Sequence, residues 1–465
     1  MVVFAKSWLA SSHVNHEPGT IDRDFQQSDK LGILSFEAAA TMSQLVSLHQ
    51  SLSDAQISKL RSDTMRTQGV AYLNSKDQAF LLRLACAELI EELDRAAETI
   101  SRFSLRCDGT ASLARDFASV YANQKSGLTD IGKLEHPKLK KMEKLIVATA
   151  KLSAEMEALE ELEASERKME KFWGRLSGPI PKQPQLPVAP DDFRLELKTQ
   201  RQIVRRLKEE SLWNKSFDKA VTLMAKSACA IFIRICTVFG PFVSGLPAVH
   251  HVLDRNRTLS RFRVKFSSGP IMERRDIPIN MPISSSCPIF GSTDIKLGTN
   301  WKEILEAPPD TVGAAGLTLR YANVILTAER LLKMEAEGRE DEVAAEREEM
   351  YNMLPVALKS IVRSKLRDWW RNPGPLDQNL AEGWKEATGS ILAWLSPVAR
   401  DTERWYNERS MDRKRRFVTG PRVLMLHTLH MSNKVKVEAA IAELLVGLSC
   451  LCWYEEHRQG SLRFL

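Results

Sequence analysis

Apolar residues that recur every three or four positions, in one segment after another, narrow most sharply what this chain can fold into. Leu31, Leu34, Ala38, Met42, Leu45 and Leu48 set the pattern, and Phe80, Leu81, Leu84, Ala87, Leu89 and Leu93 repeat it. This spacing puts the side chains on one face of an α-helix, whereas a half-buried strand would need alternation at every second residue. Such alternation is nearly absent, so strand content below about 10% is expected. Hydrophobic residues make up 43% of the chain and charged residues 27%, the balance of a globular protein with a buried core. The fold class read from these patterns is all-α: multi-helix bundles with a long amphipathic helix, a Pro-rich linker and a long irregular insertion.

Residues 1–28 show no period and read as a flexible tail. Its Met1-Val2 start lacks the glycine that N-myristoylation requires. Residues 29–125 read as an N-terminal helical domain, with Ser53 or Asp54 capping a second helix, a Ser75-x-x-Gln78 capping box opening a third that runs to about Phe103, and a fourth across Ser112 to Asn123. Short connections favour antiparallel neighbours. Over 133–173, Leu139, Met142, Ile146, Thr149, Met156, Leu159 and Leu162 keep roughly a heptad register, which predicts a long amphipathic helix facing either the chain's own helices or a coiled-coil partner. Prolines 179, 181, 184, 187 and 190 make 174–191 a semi-rigid extended linker.

A helical segment follows over 192–240, broken near Trp213 and stopped by Gly240-Pro241. The stretch 241–309, with eight prolines and Ser284-Ser285-Ser286, reads as an irregular Pro/Ser-rich insertion, with short strands allowed around Phe262 to Phe266. Residues 310–465 form a C-terminal helical domain, with helices expected over Thr311–Met334, Glu340–Met353, Pro355–Arg371, Leu376–Leu395, Pro397–Phe417 and Pro421–Glu456. Proline is acceptable in the first turn of the helices placed at 355, 397 and 421. In the first of these helices Gly313 and Gly316 are expected to share a packed face, and Asn323 to hydrogen-bond a neighbouring element.

Signatures of catalysis and cofactor binding do not occur: there is no GxGxxG after a strand, no GxxxxGK[ST], no HExxH, no GxSxG and no CxxC. No enzymatic activity, cofactor or metal is therefore expected. His427 and His430 with Cys450 and Cys452 can be drawn as a zinc set, but their apolar surroundings favour buried thiols. The seven cysteines read as reduced buried thiols of the nucleus or cytoplasm. The uncharged run Ile235–Leu253 reaches transmembrane length, yet it holds Gly240, Pro241, Gly245 and Pro247 and reads better as a core helix with a buried turn. The net charge of +7 names no partner and argues against specific nucleic-acid binding. Two basic clusters stand out, Arg255, Arg257, Arg261, Arg263 and Lys265, and the dense run Arg413, Lys414, Arg415 and Arg416. The second is read as an interaction or nuclear-import patch, or as a face for an acidic surface of the chain itself.

Two stretches carry a resemblance. Leu31–Val46 with Ser51–Asp54, Gly69-Val70 and Phe80–Glu88, and then Val312–Ile325 with Met350–Pro355 and Lys359–Leu366, are similar in order and spacing to the paired domains of the plant PSK SIMULATOR family. That resemblance implies a plant protein of two domains of unknown function, linked to growth promotion alongside peptide-hormone signalling, with no assigned site residues. The family's Leu-His-Tyr-Ala-Asn run is Leu319-Arg320-Tyr321-Ala322-Asn323 here.

The resulting expectation is a non-enzymatic regulatory or scaffold protein of plant growth signalling, in nucleus or cytoplasm, that acts through contacts with proteins still to be identified. The rival is a peripheral membrane or trafficking adaptor that touches anionic lipid through residues 235–265.

Overall fold

The computed structural model describes residues 30–107, 112–126, 138–176, 191–247, 301–337, 340–371, 378–410 and 417–462. Among these the chain is helical, with no strand beyond the isolated bridges Lys30 to Ser216 and Thr311 to Asn433. The helices are α1 (Ser35–Ser51), α2 (Asp54–Ser62), α3 (Gln68–Leu73), α4 (Gln78–Ser104), α5 (Ser112–Arg115), α6 (Phe117–Lys125), α7 (Leu139–Leu176), α8 (Asp191–Glu210), α9 (Phe217–Phe239), α10 (Trp301–Leu305), α11 (Thr318–Glu337), α12 (Glu340–Met353), α13 (Val356–Arg371), α14 (Gln378–Arg409) and α15 (Lys434–Leu462).

Two apolar cores organise them. The first gathers Met42, Leu45, Leu84, Leu93, Met142, Val221, Met224, Phe232 and Ile235 from α1, α4, α7 and α9. Phe217–Phe239 is long and apolar enough to cross a membrane, but Ala228, Ile231, Phe232 and Ile235 are buried inside this core. Arg234, the cation within its most apolar stretch, donates to the Leu52 carbonyl at 3.1 Å and pairs with Asp54 at the start of α2. The second core gathers Tyr321, Val324, Ile325, Leu358, Leu395, Ile441 and Leu444 from α11, α13, α14 and α15 and Leu354 from the α12–α13 connection, with Leu73 of α3 reaching in from the N-terminal side. The heptad stripe of α7 packs on the chain's own helices: Met142 and Ile146 join the first core, while Leu152 meets Val204 and Leu207 of α8.

Several expectations change in detail. The start of α4 is capped by Asp77, whose carboxylate accepts the Ala79 N–H at 2.9 Å, and not by Ser75. Pro397 does not open a helix but lies inside the 32-residue α14. An internal proline costs about 3 kcal/mol, and here Leu392, Leu395, Val398, Ala399 and Thr402, on both sides of it, are buried together, which holds the helix through. The helix expected from Thr311 begins only at Thr318. Residues 312–316 form turns, with Gly316 in the left-handed region at φ +67° and open space where its side chain would point. Gly313 is the crowded one, since a Cβ there would collide with the His430 carbonyl oxygen and stand 2.8 Å from the His430 ring. Asn323 is exposed on α11. The short α10 falls inside the stretch read as irregular, and Trp301 and Ile304 pack against the first core; the strands allowed near Phe262 lie outside the described residues.

Candidate functional site

The face that α4 turns inward carries Leu81, Leu84 and Ala85, and the next two places on that face hold carboxylates, Glu88 and Glu92. They are 2% and 1% exposed. An unpaired ionised carboxylate at such depth would be strongly destabilising. Both are paired from the C-terminal half of the chain. Glu88 Oε1 accepts Trp405 Nε1–H at 2.8 Å and a guanidinium N–H of Arg409, and its Oε2 accepts the Met425 backbone N–H at 2.6 Å. Glu92 Oε1 lies 2.7 Å from the same Arg409 nitrogen, and its Oε2 lies 3.4 Å from Arg422. The Arg409 guanidinium also sits 4.5 Å from the centre of the Trp405 ring, whose other neighbours include the His430 imidazole with centroids 5.4 Å apart.

Burial is the largest influence on Glu88 and pushes its carboxyl up to about 7. Arg409 and the donors Trp405 and Met425 pull it back, while the neighbouring charge of Glu92 adds to the rise. In the other direction, burial and then the cations Lys59 and Arg404 push the His427 imidazole down to about 4, so it stays neutral at physiological pH.

The strap 417–433, between α14 and α15, completes the clasp. A helix was expected from Pro421, but only the turn Met425–His427 is helical, because the strap's backbone groups are taken by partners elsewhere. Ser43 donates its hydroxyl to the Val418 carbonyl at 2.7 Å, and Ser51 accepts the Arg422 N–H at 3.0 Å. Asn74 donates to the Leu426 carbonyl at 2.6 Å and accepts the Ser432 hydroxyl, also at 2.6 Å. Asn433 N–H donates to the Leu73 carbonyl at 2.9 Å, and Leu429 N–H to Thr402 Oγ1 at 3.0 Å. Polar backbone satisfied by side chains on α1, α4 and the α3–α4 connection has no need of its own helix.

The sequence-predicted patch Arg413, Lys414, Arg415 and Arg416 lies outside the described residues. So does most of the 235–265 region beyond Pro247. His427 and His430 belong to the strap and do not share a helix face. Among the described residues no group of three or more His, Cys, Asp or Glu stands close enough to hold a metal ion. Six cysteines fall within them, all unbridged, five buried and Cys452 partly so. Burial raises the Cys229 and Cys236 thiols to about 12 and Cys450 to about 11. Sequence reasoning missed the clasp. The signal for half of it was present, since Glu88 and Glu92 interrupt an apolar helical face, but neither arginine nor Trp405 announces its partner.

Residues 33–89 match a family described as a domain of unknown function, DUF3475, and residues 311–404 match a protein of unknown function family, DUF668. Glu88 lies at the end of the first segment and Thr402 at the end of the second, while Glu92, Trp405, Arg409 and the strap lie just beyond them. Over its length the chain is similar to three proteins of Arabidopsis thaliana. It is 27% identical to Protein PSK SIMULATOR 1 over 437 residues, covering 91% of this chain and 56% of that one. For PSK SIMULATOR 3 the identity is 24%, covering 91% and 56%, and for PSK SIMULATOR 2 it is 25%, covering 93% and 62%. The chain thus spans a little over half the length of these relatives. No solved structure matches it. The resemblance read in the sequence holds as a likeness: the chain carries the DUF3475 and DUF668 segments in that order and is similar over most of its length to the three PSK SIMULATOR proteins.

Proposed function

We propose that this PSK SIMULATOR relative is a non-enzymatic regulatory protein of plant growth signalling that works as a scaffold, its two helical bodies held in one fixed arrangement that protein partners read. The growth part of the reading rests on the relatives' names and on the two family segments. The scaffold part rests on one observation: the buried Glu88, Glu92, Trp405, Arg409 and Arg422 clasp ties the end of one family segment to the end of the other. A clasp that buries two carboxylates with their guanidinium partners gains orientational specificity more than stability, since a well-packed apolar junction could be as stable.

The test is growth complementation in Arabidopsis plants lacking the three relatives. Rescue by the wild-type chain, and loss of rescue by Glu88→Ala at equal protein level, supports the proposal. No rescue by the wild type overturns the growth reading, and equal rescue by Glu88→Ala overturns the scaffold reading.

A further inference from the structure

A cavity of about 350 Å³ opens where α11, α12, α13 and α15 meet. Leu331, Met350, Leu354, Val362, Leu445 and Leu448 line it. These side chains are nearly all buried from solvent and belong to the second core. The cavity is partly open to solvent, and its volume is that of a small-molecule site and not of a groove for a partner helix.

The mouth has a different chemistry. Tyr351 and Arg347 both line the cavity, together with the single carboxylate Glu348. Lys359 Nζ stands 4.5 Å from the centre of the Tyr351 ring, and the Arg363 guanidinium, 5.7 Å from that centre, donates to the Tyr351 hydroxyl. Arg347 and Glu348 thus stand in the lining itself, and Lys359 and Arg363 add two cations around Tyr351 at that end of the apolar chamber. A ligand complementary to both parts is an aliphatic chain ending in an anionic group. At roughly the 30 Å³ that a water-sized group occupies in a liquid, the chamber admits a chain of about twelve carbons.

We infer that this cavity is a binding site for a single-chain anionic amphiphile, its chain among Leu331, Leu354, Val362 and Leu448 and its head group beside Arg347, Lys359 and Arg363. The shared chemistry fits a carboxylate or a phosphate head, so both are tested. The site is separate from the clasp, and neither reading depends on the other.

Calorimetric titration of the full chain with dodecanoate and with dodecyl phosphate, below the concentrations at which they form micelles, reads the site. Saturable 1:1 binding of either is expected, weakened about tenfold or more in the double variant Lys359→Gln, Arg363→Gln, because charge-assisted contacts are lost. Dodecyltrimethylammonium should bind about tenfold more weakly or not at all. Affinity should rise with chain length and level off near twelve carbons. Val362→Trp, which fills the chamber, should abolish binding while the chain still melts cooperatively. If that variant does not fold, the rim variant and the chain-length series decide. Absent or non-saturable binding, equal binding of the cationic analogue, an unaffected rim variant, or binding to vesicles of anionic lipid without binding of either free amphiphile would each overturn the proposal.

Discussion

Trp405 and Glu88 stand 317 residues apart in the chain, yet the indole N–H donates to the carboxylate at 2.8 Å in a site closed to solvent. Around that bond the two halves of the molecule become one cooperative structure, because the carboxylate cannot stay buried without the donors that α14 and the strap bring to it.

Glu88→Ala and Arg409→Ala should therefore each destabilise the fold by about 3–5 kcal/mol, the range found when one member of a buried charge pair is removed. Trp405→Phe keeps most of the apolar area and loses one donor, at a cost of about 1–3 kcal/mol. Denaturant unfolding measures all three. Single-mutant losses that add fully in the Glu88→Ala, Arg409→Ala pair would show that the two residues do not interact.

The pH dependence has two opposing parts. His427 is held at about 4, below the ordinary 6.5, so the unfolded chain takes up the proton more readily. Its stabilising contribution is complete above 6.5 and is lost as pH falls towards 4, reaching about 3 kcal/mol at the acid end. Glu88, raised to about 7 from 4.5, acts oppositely, since its contribution is complete below 4.5 and is lost as pH rises through 7. Glu88→Gln should expose the His427 limb as a steeper loss of stability below pH 6.5, and His427→Gln should remove that limb. Thermal melts of both variants between pH 4 and 8 check the signs.

The two glycines ahead of α11 should answer alanine differently. Gly316→Ala puts a Cβ into open space at positive φ and should cost about 1–2 kcal/mol, as left-handed backbone does for an L-residue. Gly313→Ala drives a Cβ against the His430 carbonyl and should cost more, because strap backbone must move. Gly316→Leu should then melt close to Gly316→Ala. A much lower melting temperature for the leucine would mean that the site is packed after all.

The basic run Arg413, Lys414, Arg415 and Arg416 is proposed as an import patch. Replacing Lys414, Arg415 and Arg416 by Ala should leave thermal stability unchanged and move a fluorescent fusion from nucleus to cytoplasm. An unchanged distribution with lowered stability would assign the run to an intramolecular contact instead.

Much of this molecule could be read before any coordinates. The three-to-four spacing of Leu31 to Leu48 and of Leu81 to Leu93 gives α1 and α4, and the stripe from Leu139 to Leu162 gives α7. Apolar periodicity is written within a single turn or two of chain, so it survives in the sequence whatever the rest of the molecule does. The family resemblance was legible for the same reason, through runs such as Val312–Ile325.

The strap, the continuity of α14 through Pro397 and the different surroundings of Gly313 and Gly316, read as one shared packed face, were not legible. In each case the local signal was overruled by groups distant in sequence. Proline at 421 marks a helix start only until Ser51, Glu88 and Asn74 claim the backbone that follows it, and proline at 397 marks a boundary only until burial on both sides outweighs its cost. Glu88 and Glu92 could be seen as carboxylates on an apolar face. What makes them tolerable, two guanidiniums, an indole and a backbone N–H from more than 300 residues away, exists only once the halves have docked, because a hydrogen bond has no trace in the sequence between its ends.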